Sequence, residues 1–431
     1  MWISLWRNWL HVWAGALTAG ALAFGLTLVI TFVLIKLAPR MGLMDHPGGR
    51  KTHATATPAV GGLGLALGCM PVAALLFPQG RPLQALGIAA IMLLITGVVD
   101  DRFDLPWPQR ICAQVAAALV LVYLGGVRVN SIGTAFGVGD YHQLGNLAAP
   151  FTVLATVGLI NAINMADGVD GLAGSIGMAT LGMLAAAALY AGNDDLATGS
   201  ILMMGGVAAF LVFNLSSTRA LPRTFLGNAG SEFTGLAIAW TCFRLTQTEA
   251  HPVTPVLAPF LICVPVIDGL VLMSHRLRRG ASPFRADRDH LHHLLLDAGF
   301  SSNGVVLFIL GFSLMIGLAA AAALFVHIPQ PMFILAFLLL MGAHYRITAQ
   351  RAQAVAIFAV MARWLQRTAV PRSAASTSKP PTSSRLRGEA AGGFNLRQTL
   401  RAAVGLRYLQ GRRCEISATR RISGKVRDGG A

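Results

Sequence analysis

The segment Asn161-Ala-Ile-Asn164-Met-Ala-Asp167-Gly-Val-Asp170-Gly171 sets two carboxylates and two carboxamides between two apolar runs. Ionisable groups at a membrane boundary are costly to keep, which makes them functional candidates. Asp167 and Asp170 are three residues apart and Asn164 lies three further back. A helical turn would put all three on one face. Gly168 and Gly171 allow close approach of backbone to a ligand; the plainer alternative is a Gly/Asp turn joining two spans. A second acidic cluster, Asp100-Asp101-Arg102-Phe103-Asp104, ends another apolar run. Adjacent carboxylates repel and are easiest to keep ionised where a cation lies between them. The pair suits Mg²⁺ or a substrate-bound cation, or lets one member act as a general base toward a phosphate or hydroxyl. A solvated helix end is the alternative.

A third group is Arg285-Ala-Asp-Arg288-Asp-His290-Leu-His292-His293. Three imidazoles beside two guanidiniums offer donors, charge and bidentate geometry for a phosphate. Zinc is the rival ligand, but no cysteine is near, and His292 and His293 cannot share one helix face. Arg50-Lys51-Thr52-His53 precedes Pro58-Ala-Val-Gly61-Gly62 and could meet a lipid phosphate at the interface, or merely carry loop charge. Gly227-Asn228-Ala-Gly230-Ser231 begins an apolar run; small residues and an amide at a helix start can hold an anion or an oxygen-liganded cation.

The elements that position these groups are membrane helices. The 431 residues are 55% hydrophobic and 12% charged, about half the charged fraction of a soluble domain. Apolar runs of bilayer-spanning length recur. The sequence predicts an all-α polytopic membrane protein with about eleven spans, near 14–37, 58–77, 82–99, 109–126, 150–166, 172–191, 199–215, 226–245, 254–274, 303–325 and 331–348. The second, rich in glycine, is a candidate for a broken or tilted span. Residues 1–13 form an N-terminal segment without the separate apolar region and cleavage site of a signal peptide. Residues 14–348 form the membrane domain and 349–369 an amphipathic or linker helix. Residues 370–431, rich in Ser, Thr, Pro, Arg and Gly, read as a disordered basic tail.

Charge gives the topology. Residues 1–345 carry 17 Lys+Arg against 15 Asp+Glu, whereas residues 346–431 carry 17 against 3, so the +16 of the whole chain lies mostly in its tail. That tail suits anionic lipid headgroups better than nucleic acid. With the loop after the first span placed inside, cytoplasmic loops hold eleven Lys+Arg and opposite loops two, Arg81 and Arg128. The N-terminus is then outside, and all five polar clusters share the cytoplasmic face. Four of the five cysteines lie in apolar runs and read as small buried hydrophobes.

Five stretches taken together resemble the polyprenyl-phosphate N-acetylhexosamine-1-phosphate transferases, the MraY and WecA superfamily. They are Asp45-His-Pro…Arg50-Lys51-Thr-His53…Pro58-Ala-Val-Gly-Gly, Gly97-Val-Val-Asp100-Asp101-Arg-Phe-Asp104, Asn161 to Leu172, Phe225-Leu-Gly-Asn228-Ala-Gly-Ser, and Ser282 to Leu294. They stand in family order across residues 14–348, and His290-Leu-His292-His293 after Asp-Arg resembles the WecA branch. The resemblance implies transfer of a sugar 1-phosphate, foremost GlcNAc 1-phosphate, from a UDP-N-acetylhexosamine to undecaprenyl phosphate in a bacterial inner membrane. UMP would be released and a lipid-linked surface glycan such as O-antigen begun. It implies Mg²⁺ or Mn²⁺ as cofactor and leaves a homodimer open. Asp100 and Asp101 would be catalytic. Asp167, Asp170 and Asn228 would serve the metal. Lys51, His53, Asn161, Asn164, Arg288, His290, His292 and His293 would bind substrates, Lys51 meeting the lipid phosphate.

One residue departs from the pattern. The family reads Phe-Met-Gly-Asp-Ala-Gly-Ser where this chain has Asn228. An amide keeps a carbonyl oxygen and loses the charge, which weakens Mg²⁺ binding. Three outcomes stay open: activity with altered metal dependence, a different donor, or an inactive paralogue that binds lipid carrier or nucleotide. A transporter would also explain many spans, but it predicts polar residues at mid-depth rather than on one face.

Overall fold

The computed structural model describes residues 2–46, 56–137, 141–215, 223–247, 253–283 and 288–369. The apolar runs form helices α1 (Trp2–Met41), α2 (Gly61–Leu76), α3 (Arg81–Phe103), α4 (Trp107–Leu119), α5 (Ala148–Ala166), α6 (Leu172–Tyr190), α7 (Asp194–Asn214) and α8 (Gly227–Thr246). After these come α9 (Ala258–Leu261), α10 (Cys263–Arg278), α11 (Leu291–Asp297), α12 (Ser302–Phe325), α13 (Gln330–Thr348) and α14 (Arg351–Ala369). A two-stranded antiparallel ladder, β1 (Met44–Asp45) with β2 (Thr57–Pro58), closes the base of the first loop. The protein is all-α and polytopic.

Each of the eleven predicted spans falls on a helix or helix pair. Among the described residues, eight helices are long and apolar enough to cross a membrane: α1 from Trp13, α3, α4 with its extension to Leu124, α5 with the preceding turn, α6, α7, α12 and α13. The segment Pro255–Leu261 and α10 make a ninth if counted as one span, bent by 86°. The glycine-rich α2 is a single helix of 16 residues, unbroken by Pro71.

The remaining predicted span, α8, is the most buried helix of the bundle: sixteen of its twenty residues are inaccessible, including Ser231, Glu232 and Thr234. Protein rather than lipid surrounds it, so its sequence need not be uniformly apolar. Small residues let its neighbours close in. A Cβ built on Gly97 of α3 would lie 2.4 Å from Ala229 Cα, and one on Gly235 of α8 would lie 2.6 Å from Ile160 Cα of α5. The outer helices turn residues such as Val29, Ile95, Leu154, Leu307 and Leu339 outward, as a lipid-facing surface requires. Of the cysteines, Cys69, Cys242 and Cys263 are buried as expected, but Cys112 is exposed on α4.

Candidate active site

The site grows from the junction of α3 and α8. Asp104, in the left-handed region at φ 51°, ends α3 just after the two adjacent aspartates. Asp101 reaches across to the start of α8, where its Oδ1 accepts the N–H of Asn228 at 2.8 Å and its Oδ2 that of Ala229 at 3.4 Å. A carboxylate on one helix thereby satisfies orphan donors at the positive end of another. Gly227 makes this fit: its φ is +71°, and a Cβ there would lie 2.6 Å from Asp101 Oδ2. Asp100, buried, serves a different neighbour. It accepts the Leu105 N–H at 2.7 Å and a bond from Arg110 of α4 at 3.3 Å. The adjacent carboxylates thus avoid each other by binding opposite partners.

The second acidic group lies beside the first. Asn164, in the last turn of α5, donates to Asn228 Oδ1 and to Ser231 Oγ, both at 2.8 Å. Asp167 caps the end of α5. The expected helical face carrying Asp167 and Asp170 does not form, because residues 167–171 are a turn ending in Gly171 at φ +79°. The turn leaves Asp170 paired with Arg223, half-exposed. Burial raises the proton affinity of Asp167 well above the usual carboxylate range, and the neighbouring charges of Asp101 and Asp170 add to the effect.

The histidine motif meets the acidic turn directly. A Cβ on Gly168 would lie 2.3 Å from His292 Nε2, so only glycine admits this imidazole. His292 is buried with Nε2 unpartnered, and His293 Nδ1 is likewise unpartnered. Burial pushes His292 down to about 3 and also lowers His293, with neighbouring His and Arg charges adding to the effect, so His292 is neutral at pH 7. His290 is held by Asp268 of α10: Nδ1 to Oδ2 is 3.0 Å. The other carboxylate oxygen accepts the Leu291 N–H at 3.1 Å and faces His344 Nε2 of α13 at 3.2 Å. Arg288 lies at the rim, 4.0 Å from Asp297, and its carbonyl accepts from Arg351 of α14, which also bonds Asp289 at 2.7 Å.

Asp101, Asn164, Asp167, Asn228 and His292 therefore converge, with Asp100 and His290 beside them. Asn161 sits one turn deeper on α5 and donates to Gln114 Oε1 at 2.6 Å. Lys51 and His53 lie outside the described residues. The far end of their loop is tied to the start of α8: Pro58 O accepts the Phe225 N–H at 2.9 Å, and Gly62 N–H donates to Leu226 O at 2.9 Å.

Residues 83–246 match the family described as Glycosyl transferase family 4. Over 341 residues the chain is 34% identical to the undecaprenyl-phosphate alpha-N-acetylglucosaminyl 1-phosphate transferase of Yersinia pestis, covering 78% of this chain and 92% of that one. It is 32% identical to the protein of that name from Escherichia coli O157:H7, covering 78% and 91%. The one from Haemophilus influenzae is 32% identical, covering 65% and 79%. The chain belongs to this transferase family. The described parts of the Asp100–Asp101, Asn161–Gly171, Asn228 and His290–His293 stretches meet around the α3–α8 junction.

The family implies a divalent cation. Among the described residues no three His, Cys, Asp or Glu side chains form a metal cage. The donors present still suit Mg²⁺, which characteristically takes one or two carboxylates and completes its shell with phosphate oxygens and water. Asp167 faces the charges of Asp101 and Asp170, and among the described residues only Asp170 of the three has a cationic partner, Arg223; that grouping of carboxylates favours a cation there.

Sequence reasoning missed several partners. Asp268, inside an apolar helix and 22 residues before His290, had no motif to mark it, although an intramembrane carboxylate is itself a signal. Arg110 and Gln114 share a face of α4 four residues apart, visible only once that helix is placed. His344 likewise comes from a distant span.

Proposed function

We propose that this protein transfers N-acetylglucosamine 1-phosphate from UDP-GlcNAc to undecaprenyl phosphate and releases UMP, beginning a lipid-linked surface glycan such as O-antigen. It works as a multi-pass protein of the bacterial inner membrane. The observation that carries the proposal is the packing of His292 against Gly168, which joins the histidine motif to the acidic turn, whose Asp167 feels the charge of Asp101. The relatives' names supply the reaction class.

The reaction is a single displacement at phosphorus. A phosphate oxygen of the lipid forms a bond to the β-phosphorus of UDP-GlcNAc. The bond from that phosphorus to the bridging oxygen breaks, and the bridging oxygen leaves on UMP. Such chemistry asks the protein mainly for alignment and charge neutralisation. Asp101 and Asp167 would hold Mg²⁺ or Mn²⁺ together with Asn228 and Asp170, and the cation would supply neutralisation of the diphosphate. The unpartnered ring nitrogens of His292 and His293, with His290 oriented by Asp268 and Arg288 at the rim, suit the diphosphate of the nucleotide sugar. Asp100 fixes the α3–α4 turn through Leu105 and Arg110 and thereby sets the position of Asp101. Asn161 and Asn164 support the nucleotide side. Lys51 and His53 would meet the lipid phosphate, with the N-terminus outside and the site on the cytoplasmic face.

The nucleotide product tests the proposal. A phosphosugar transferase releases UMP, whereas a glycosyl transfer that cleaves the sugar–oxygen bond releases UDP. Chromatography of the reaction with UDP-GlcNAc and undecaprenyl phosphate should show UMP; UDP, or no nucleotide product, contradicts it.

A further inference from the structure

The start of α8 carries no acidic residue in its first turn, and Asn228 stands where the resemblance led us to expect a carboxylate. The next turn carries Glu232. Four residues separate it from Asn228, which puts the two side chains on one face of α8, about 6 Å apart along its axis. Glu232 is only 2% exposed. Its Oε1 accepts a bond from Gln114 at 2.7 Å, and Gln114 is itself held by Asn161 at 2.6 Å. Its Oε2 is buried and has no partner. The charges that bear on it are Asp100, Arg110 and Asp101. Arg110, the one cation among them, is bonded to Asp100.

A buried carboxylate with an open oxygen and no cation of its own is expensive to keep. Gln114 and Asn161 hold this one in a fixed orientation rather than neutralising it, since both are uncharged. The same face, one turn nearer the acidic junction, carries the uncharged Asn228. We propose that Glu232 supplies the negative charge of α8 to the divalent-cation site, in place of the carboxylate that Asn228 lacks. It does so as a fixed charge one turn behind the junction rather than as a ligand, because it lies about 6 Å along the axis from Asn228 and its Oε1 is turned to Gln114. It is a positioning residue for the cation. The inference rests on the proposed metal-dependent transfer for its purpose, but its evidence is separate.

The charge can be removed without disturbing the bonds. Glu232→Gln keeps an Oε1 acceptor for Gln114, and Asn228→Asp returns a carboxylate one turn away. The test is Mn²⁺ binding to wild type, E232Q, N228D and the double variant in lipid nanodiscs, read from the free-Mn²⁺ paramagnetic resonance signal without nucleotide or lipid substrate. Expected is a rise of about 10-fold in the half-saturating Mn²⁺ concentration for E232Q, as one charge at this range can impose. The double variant should return to within about 3-fold of wild type, because the charge is restored to α8. Any of three results overturns the inference: wild type that binds no Mn²⁺, E232Q that binds like wild type, or an E232Q defect that N228D does not relieve. The last also covers a loss of folding, since returning a charge does not repair a packing fault. UMP release by the wild type separates the two claims: Mn²⁺ binding with charge rescue but no UMP leaves Glu232 in place and removes the transferase proposal.

Discussion

At the residue scale, the chemistry depends on which partner each carboxylate takes. Asp101 binds the start of α8 and Asp100 binds Arg110, so the two aspartates are unequal although they are adjacent in sequence. Asp101→Asn keeps the shape and loses the charge, and should lower UMP release by roughly 10²–10⁴-fold, the range for loss of a group at the reacting centre. Asp268→Asn tests the orientation of His290. An amide offers one oxygen where the carboxylate offers two, so Nδ1 of His290 and the Leu291 N–H compete for it. The expected loss in kcat/KM for UDP-GlcNAc is about 10-fold or more, with the KM for undecaprenyl phosphate unchanged. Equal kinetics in variant and wild type would show that His290 needs no such anchor. The sequence made Asp100, Asp101, Asp167 and the histidines legible because each sits at the edge of an apolar run. Asp268 stayed hidden because it lies inside such a run, and Glu232, at the end of the 228–232 polar cluster, gave no sign of its Gln114 partner until the helices were packed.

At the element scale, the site exists because α8 is surrounded. Its carboxamide, hydroxyl and carboxylate groups meet α3, α4 and α5 through close approaches that glycine permits. Gly97→Val would drive side-chain carbons into the Ala229 backbone and separate α3 from α8. Overpacking of this kind costs about 1–3 kcal/mol or more, read as a lower unfolding temperature in detergent together with lost UMP release. Gly168→Ala places its methyl on His292 and should reduce activity with a much smaller change in unfolding temperature, because the turn lies at the rim of the bundle. The helices were legible as apolar runs, and all eleven predicted segments are helical. The turn at residues 167–171 was not: a three-residue spacing fits a helix equally well, and Gly171, at φ +79°, decides otherwise.

At the scale of the whole molecule, distant segments are brought together, and the histidine segment makes stability depend on pH. His292 is held neutral by burial, with its folded value near 3 against about 6.5 in an unfolded chain. The unfolded state therefore binds the extra proton first as pH falls. Stability attributable to this group is complete above about pH 6.5 and declines below it by up to about 1.4 kcal/mol per pH unit until about pH 3. His292→Asn should flatten that decline in thermal unfolding measured from pH 7 to pH 5. The basic segment 371–431 lies outside the described residues. A chain ending at Val370 is expected to keep its UMP release, since every described site residue precedes that point.

The most direct test of the transferase is UMP release by the purified protein with UDP-GlcNAc, undecaprenyl phosphate and Mg²⁺. The arrangement of Asp101, Asp167 and the histidine motif predicts UMP formation that requires both the lipid and the cation and disappears in Asp101→Ala. UMP formed without the lipid phosphate, or undiminished in Asp101→Ala, would contradict it, as would the absence of UMP from folded wild-type protein.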